Sequence, residues 1–305
     1  MAFGNTFSFF RTDSHRRTKL KRFARIEGKN LAINERLLPP TQKLMQKSFS
    51  IIGTGNMAWF LAEKLSAAGH HFVGVYGRNK LEANRIAETF NGIAYPSISE
   101  IKDSEDHFCF IAVKDNAIAA MASQMNCSKT ILIHTAGASS IAILQASAKH
   151  YGSFWPIYSI VQTHTSLPKD IPIAIEGNNL DTQNALLELA KSFSNNAFAA
   201  SEKQRNTLHL AAVFANNFTN HLLAIAEDIC DSEKISFNYL KPILKQTFDR
   251  LSSQTAKESQ TGPAIRADVA SMQSHLDLLK NQENYRLLYQ SLSDSIRKMY
   301  NQNEE

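Results

Sequence analysis

Two glycines in "SFSIIGTGNMAWF", Gly53 and Gly55, follow one apolar run and open another. With Ala58 they make the pattern G-x-G-x-x-A. In that pattern the first glycine permits a tight turn and the second lets bare backbone approach a diphosphate. The small third residue lets a helix pack on a strand. The helix expected from about Asn56 would aim the free N–H groups of Asn56 and Met57, with its positive dipole end, at such a group. The chemistry implied is dinucleotide binding; a glycine turn that merely allows close packing is the plainer alternative.

The second apolar run ends in "VYGRNK", with no acid nearby. An acid at this place binds the free ribose hydroxyls of NAD. Arg78 and Asn79 stand there instead. A guanidinium bonds a 2′-phosphate in a charge-assisted way, whereas a carboxylate would repel it. The expected cofactor is therefore NADP(H), and the plainer reading of Arg78 is a solvated loop arginine. The missing acid also argues against S-adenosylmethionine. Tyr76 and Lys80 share the Y-x-x-x-K spacing of short-chain dehydrogenases, but a strand end and Gly77 separate them, so the match is accidental.

Later strand ends offer further candidates. Val113 and Lys114 in "AVKDNAI" and Ala136 and Gly137 in "HTAGASS" are expected along the cofactor's ribose and nicotinamide side. Asp115 doubles as a helix N-cap, and His134 reads as a hydrogen-bonded core histidine. At about 100° per residue, Arg205, His209 and Asn216 fall within roughly 40° on one helical stripe, with Asn217 off it. A cation, an imidazole and an amide so placed would orient a carboxylate and a carbonyl or imine, with His209 supplying a proton. A polar seam between helices is the bland alternative. Arg266, just past the Gly262-Pro263 break, is a candidate for an anionic substrate or the cofactor phosphates, or a surface arginine. Asp268 and His275, seven apart, share a helix face and could pair.

These residues need elements to hold them. From Ser48 the chain alternates strands and helices: "SFSIIG", "HHFVGVY", "GIAY", "HFCFIAV" and "TILIHTA" are strands, and helices are expected over "KLEANRIAETF", "DNAIAAMASQM" and "SSIAILQASAK". The apolar, β-branched runs suit strands buried on both faces of a parallel sheet. The fold class is α/β, a doubly wound parallel sheet followed by an all-helical domain. From Asp181 the pattern is almost wholly helical, with a long segment near 202–230 and others near 237–255, 264–280 and 282–299. The expected domains are a basic extension over 1–46, a dinucleotide-binding domain over 47–177 and a helical substrate and dimerisation domain over 178–305.

The chain has 305 residues and a formal charge of +5, but eleven of its lysines and arginines lie in residues 1–47 against three acids. That segment carries +8 and the remainder −3. A mildly acidic body lacks the basic face that phosphate backbones require, so no nucleic-acid partner is expected. The basic segment reads as a disordered tail or as the product of a start codon placed before Met45, with a targeting peptide or phosphate-binding arm as alternatives. Three scattered cysteines argue against a disulfide framework or zinc site and suit a reducing cytoplasm. No run approaches a membrane span; no metal is expected.

The motifs "GTGNMA", "RNTLHLAAVFANNF" and "TGPAIRADVASMQSHLDLL" resemble two-domain oxidoreductase-like proteins, in which a Rossmann NADP-binding domain precedes a helical domain of unknown function 2520. The N-terminal half is similar to pyrroline-5-carboxylate reductases and deazaflavin-dependent NADP reductases, and the layout more distantly to 6-phosphogluconate and 3-hydroxyacid dehydrogenases. The family's "HP" element stands here as Trp155-Pro156. Ala136 replaces a serine in its "HTSG" turn, and Ala267 a glycine in "TGP-x-x-RGD". Asn217 matches the family's asparagine. The resemblance implies an NADP(H)-dependent oxidoreductase acting on a small carbonyl, imine or hydroxy compound, as a homodimer. A non-catalytic dinucleotide-binding regulator is the alternative.

Overall fold

The computed structural model describes residues 46–161, 168 and 170–300. The expected extension over 1–46 lies, but for its last residue, outside the described residues. Strand β1 (Ser48–Ile52) leads into α1 (Asn56–Ala67), β2 (His71–Tyr76), α2 (Lys80–Thr89) and the two-residue β3 (Ile93–Ala94). Then come β4 (His107–Ile111), α3 (Ile118–Ala122), β5 (Cys127–His134), β6 (Ala148–Pro156), β7 (Ile173–Gly177), α4 (Leu180–Lys191) and β8 (Ala197–Ala199). All eight strands join one sheet in the order β3-β2-β1-β4-β5-β6-β7-β8. Every neighbouring pair is parallel except β6 and β7, which are antiparallel.

Alternate β1 and β4 side chains explain the layering. Phe49, Ile51, Phe108 and Phe110 face one side, with α1, α2 and α4 packed there. Ile52, Cys109 and Ile111 face the other, under α3 and the segment around Leu144. Strands covered on both faces have no reason to alternate polar and apolar residues, which is why their sequences read as continuous apolar runs. Burial at about 25 cal/mol per Å² makes this sheet core the main stabilising body of the chain.

Strand order reverses at β1: β2 lies to one side of it and β4 to the other. At such a switch point the two flanking crossovers leave in opposite directions and open a crevice at the strands' carboxyl ends.

Three expectations are corrected. The helix expected over "SSIAILQASAK" is a single 3₁₀ turn, Ile141–Leu144. Ala148 and His150 are already paired with β5, so the ladder takes the chain before a second turn can form. The helix over "DNAIAAMASQM" is a 3₁₀ turn running into the five residues of α3. Third, the sequence after Asp181 is not all helical: β8 extends the sheet to Ala199 by pairing with β7. Three residues with no β-branched member are too short to show a strand pattern.

The rest is helical: α5 (Glu202–Ala212), a π-helical segment Val213–Phe218, α6 (Thr219–Ser232), α7 (Lys241–Arg250), α8 (Val269–Leu278) and α9 (Glu283–Tyr300). Ser201 opens α5 with a reciprocal capping box to Gln204. Beyond α5 the only buried apolar residues among those described are Ile225, Ala264 and Leu279, while Phe214, Phe218, Ile229, Tyr239, Ile243 and Phe248 are exposed.

Candidate functional site

The crevice at the switch point is a cleft of ≈ 1220 Å³, walled by the turn after β1, the end of β2 and the segment after β4. Gly53 has φ 128°, and a Cβ there would stand 2.1 Å from the Ala112 carbonyl oxygen, so only glycine fits. Gly55 differs: its φ of −82° suits any residue, and a Cβ would meet nothing within 4 Å. Its backbone faces open space in the cleft, a cradle that a side chain would fill. No side chain caps α1 and no acid lies in its first turn. The N–H groups of Asn56 and Met57, both at the cleft, therefore have no intrahelical acceptor and suit an anion.

Arg78 and Asn79 line the same cleft, as do Val113 and Lys114. Arg78 is exposed. The Asn79 side-chain Oδ1 accepts the Glu82 N–H at 3.2 Å as the N-cap of α2. Lys80 is engaged elsewhere: its ammonium lies 5.0 Å from the Tyr76 ring centroid and donates to the Pro96 carbonyl at 2.8 Å. The Asn56 amide donates to the Ile160 carbonyl at 3.1 Å, tying the segment after β6 to the glycine turn.

A second cavity of ≈ 530 Å³ lies between the segment after β6 and the long helix. Trp155 and Tyr158 form one wall, and His209, Asn216 and Asn217 belong to the other. The Trp155 and His209 rings lie 5.5 Å apart by centroid at 46°. Asn217, expected off the His209 stripe, reaches the cavity with Asn216. The reason is the π segment: i→i+5 bonding widens each turn and rotates the residues after Ala212 back around the axis, a distortion frequent at functional sites.

The turn after β5 borders the first cavity and packs against the rings that line the second. Thr135 lines the first. Ala136 and Gly137 are buried instead of lining it. Gly137 lies under the second cavity's rings, where an added Cβ would stand 2.3 Å from His209 Cδ2 and 2.7 Å from Trp155 Cε2. His134, at the end of β5, is fully buried, and its Nδ1 accepts the Ala136 N–H at 3.2 Å. Burial, with the Arg205 charge adding to it, holds its pKa down at about 3. Neutral His134 thus carries its proton on Nε2.

Two candidates stand apart from the cavities. Arg205 is fully buried, and its guanidinium is taken by Glu176 and by backbone carbonyls rather than offered to a ligand. Arg266 is exposed ahead of α8 and lines neither cavity. Asp268 and His275 do not hydrogen-bond each other: Asp268 caps α8 through the Ser271 N–H at 3.0 Å, while His275 bonds the Tyr289 hydroxyl at 2.8 Å. The sequence reading missed Glu176, although a lone acid closing the apolar strand "IPIAIEG" is itself a signal that a buried charge awaits a partner. Among the described residues no three histidine, cysteine or acidic side chains converge as for a metal.

Comparison with known proteins fits this geometry. Residues 48–137 match the model "NADP oxidoreductase coenzyme F420-dependent", and residues 171–296 match a domain of unknown function, DUF2520. The "putative NADP oxidoreductase" BF3122 of Bacteroides fragilis is 30% identical, with 83% of this chain and 98% of that chain covered and a TM-score of 0.76. An imine reductase of a Pseudomonas species shares the fold at 18% identity, TM-score 0.60, over 83% of this chain and 94% of that one. The 1-pyrroline-5-carboxylate reductase of Streptococcus pyogenes does so at 17% identity, TM-score 0.53, over 83% and 99%. No curated protein matches.

Proposed function

The chain belongs to the NADP oxidoreductase family that these two domain models and the Bacteroides fragilis protein represent, and from that premise we propose that it moves hydride between NADP(H) and a small carbonyl, imine or hydroxy compound bound beside His209. The observation that carries the reading is the pairing of bare backbone at Gly55 with an unopposed Arg78 across one cleft. Uncapped N–H groups of Asn56 and Met57 suit the diphosphate, and Arg78, with the Asn79 amide beside it, suits the 2′-phosphate. NADPH, when bound, supplies the hydride. The chain's own residues do the rest. Trp155 and Tyr158 give the substrate a flat apolar wall, Asn216 and Asn217 give it hydrogen bonds, and His209 donates or accepts the accompanying proton.

Titration with NADPH and NADH, wild type beside Arg78→Ala, tests the cofactor half. Wild type should prefer NADPH, and the variant should lose about 10–100-fold for NADPH alone, the worth of one hydrogen-bonded charge contact. Equal wild-type affinities would end the assignment. A screen of small imines and ketones by cofactor absorbance tests the other half, and His209→Gln should lower kcat by about 10²–10⁴-fold.

We also propose that a second copy covers the helical half. About a hundred residues whose apolar side chains stay largely exposed have no core of their own, and contiguous exposed apolar surface marks an interface. Sedimentation should give a dimer, and Phe214→Asp should return it to monomer. No described helix is long and apolar enough to cross a membrane. Together with three unpaired cysteines, two of them buried, this supports work in the cytoplasm.

A further inference from the structure

Arg205 and Glu176 make, among the described residues, the one ion pair with both side chains largely buried, and the bonds of Arg205 join three separate segments. Nη2 and Nε donate to Glu176 Oε2 at 2.9 and 3.3 Å, while Nη1 donates to the carbonyls of Gly137 at 2.8 Å and Ala136 at 3.4 Å. The other Glu176 oxygen accepts the Glu202 N–H at 3.0 Å, and the Glu202 carboxylate accepts the Ser140 hydroxyl at 2.6 Å. The turn after β5, strand β7 and the first turn of α5 are thereby held in one network. His209 lies one helical turn beyond Arg205 on the same face, its ring against Gly137 and Trp155.

We infer that Arg205 is a positioning residue: by holding the Ala136–Gly137 carbonyls to Glu176 it sets where His209 stands against Trp155 in the cavity wall. The inference rests on the reading of the Trp155–His209 cavity as the reaction cleft. Charge alone does not explain the choice of residue. A lysine would neutralise Glu176, but only the planar five-donor fork serves a carboxylate and two carbonyls at once. Nor does stability explain it, since apolar groups of similar volume often replace a buried ion pair without loss. What the network yields is a fixed distance between a turn and a helix, and Gly137 accepts the imidazole there because it has no side chain.

The test uses full-length protein with labelled histidine and tryptophan rings. In wild type the Trp155 and His209 rings should give a nuclear Overhauser contact. Arg205→Met, and the doubly neutral Glu176→Gln/Arg205→Met if the single variant leaves too little folded protein, should lose that contact while NADPH affinity is unchanged. With a turned-over substrate, kcat should fall about 10²-fold, the cost of a displacement near 1 Å. A folded variant that keeps the ring contact overturns the inference. So does failure of both variants to fold, which would make Arg205 a fold-maintaining residue. The ring contact needs no turnover, so failure of the oxidoreductase reading would leave this result standing.

Discussion

Gly137 and His209 are separated by 72 positions, yet a Cβ on the first would lie 2.3 Å from Cδ2 of the second. No such contact is tolerable, so one of the two must move in a Gly137→Ala variant. The Trp155 ring blocks retreat on the other side, at 2.7 Å from the same Cβ. Overpacking of this kind costs about 1–3 kcal/mol. The variant should fold with a lowered denaturant midpoint and altered Trp155 fluorescence, measured in a Trp59→Phe background.

The two glycines of the opening turn should respond oppositely. Gly53→Ala combines φ 128° with a Cβ driven into the Ala112 carbonyl and should lose at least about 1–3 kcal/mol of stability. Gly55→Ala has ordinary dihedrals and empty space around it, so stability should hold or rise by about 0.4–1 kcal/mol. Its NADPH affinity should fall, because the added methyl occupies the diphosphate's approach. Melting curves read beside cofactor titrations check both.

Ala267 has a φ of 51°, in the left-handed region that favours glycine. Left-handed backbone costs a residue with a Cβ about 1–2 kcal/mol, against about 0.4–1 kcal/mol for the extra freedom glycine brings to the unfolded chain. Ala267→Gly should therefore be stabilising by up to about 1 kcal/mol in a denaturant melt. A loss of stability would mean that the alanine makes contacts outweighing its strain.

Three buried histidines, His70, His107 and His134, have their pKa values lowered chiefly by burial and set the acid side of the stability profile. Burial holds His134 at about 3 and His107 at about 4. Unfolded histidines take up protons below about 6.5, so acidification feeds the unfolded state. Stability should be complete above about pH 6.5 and fall toward pH 4 by roughly 1.4 kcal/mol per pH unit per histidine. Below that range Asp103 adds to the loss. Its carboxylate accepts the N–H groups of Ser128, Lys129 and Thr130, which holds its pKa well below the usual range. Urea midpoints between pH 7.5 and 4.5 should show the slope, and His134→Asn should make it shallower by one histidine's share.

The sheet half was legible because its signals are local. Gly53, Gly55, Arg78 and Lys114 each close a strand in the sequence, and the switch-point topology alone brings strand ends to one crevice. The polar residues of the long helix were found by their types, but their roles were not. Regular 3.6-residue winding joins Arg205 to His209 and drops Asn217. A strand pairing between Ser153 and Glu176, invisible to periodicity, recruits Arg205 into the interior. The π winding after Ala212 then restores Asn217 to the cavity wall. Long-range pairing and a break in helical period are the two things that spacing along a chain cannot encode.

In regular helices the separation of two residues along the chain fixes the angle between them. Val213–Phe218 releases that constraint. The helix start is anchored to the sheet, and the helix end carries a greasy outer stripe. The widened turn acts as a vernier between them, letting the anchored start and the outer stripe be aimed independently. Deleting one residue there to restore ordinary winding would leave each half well formed yet twist one against the other by about a residue's step, so that the His209 cavity and the proposed dimer face would shift together.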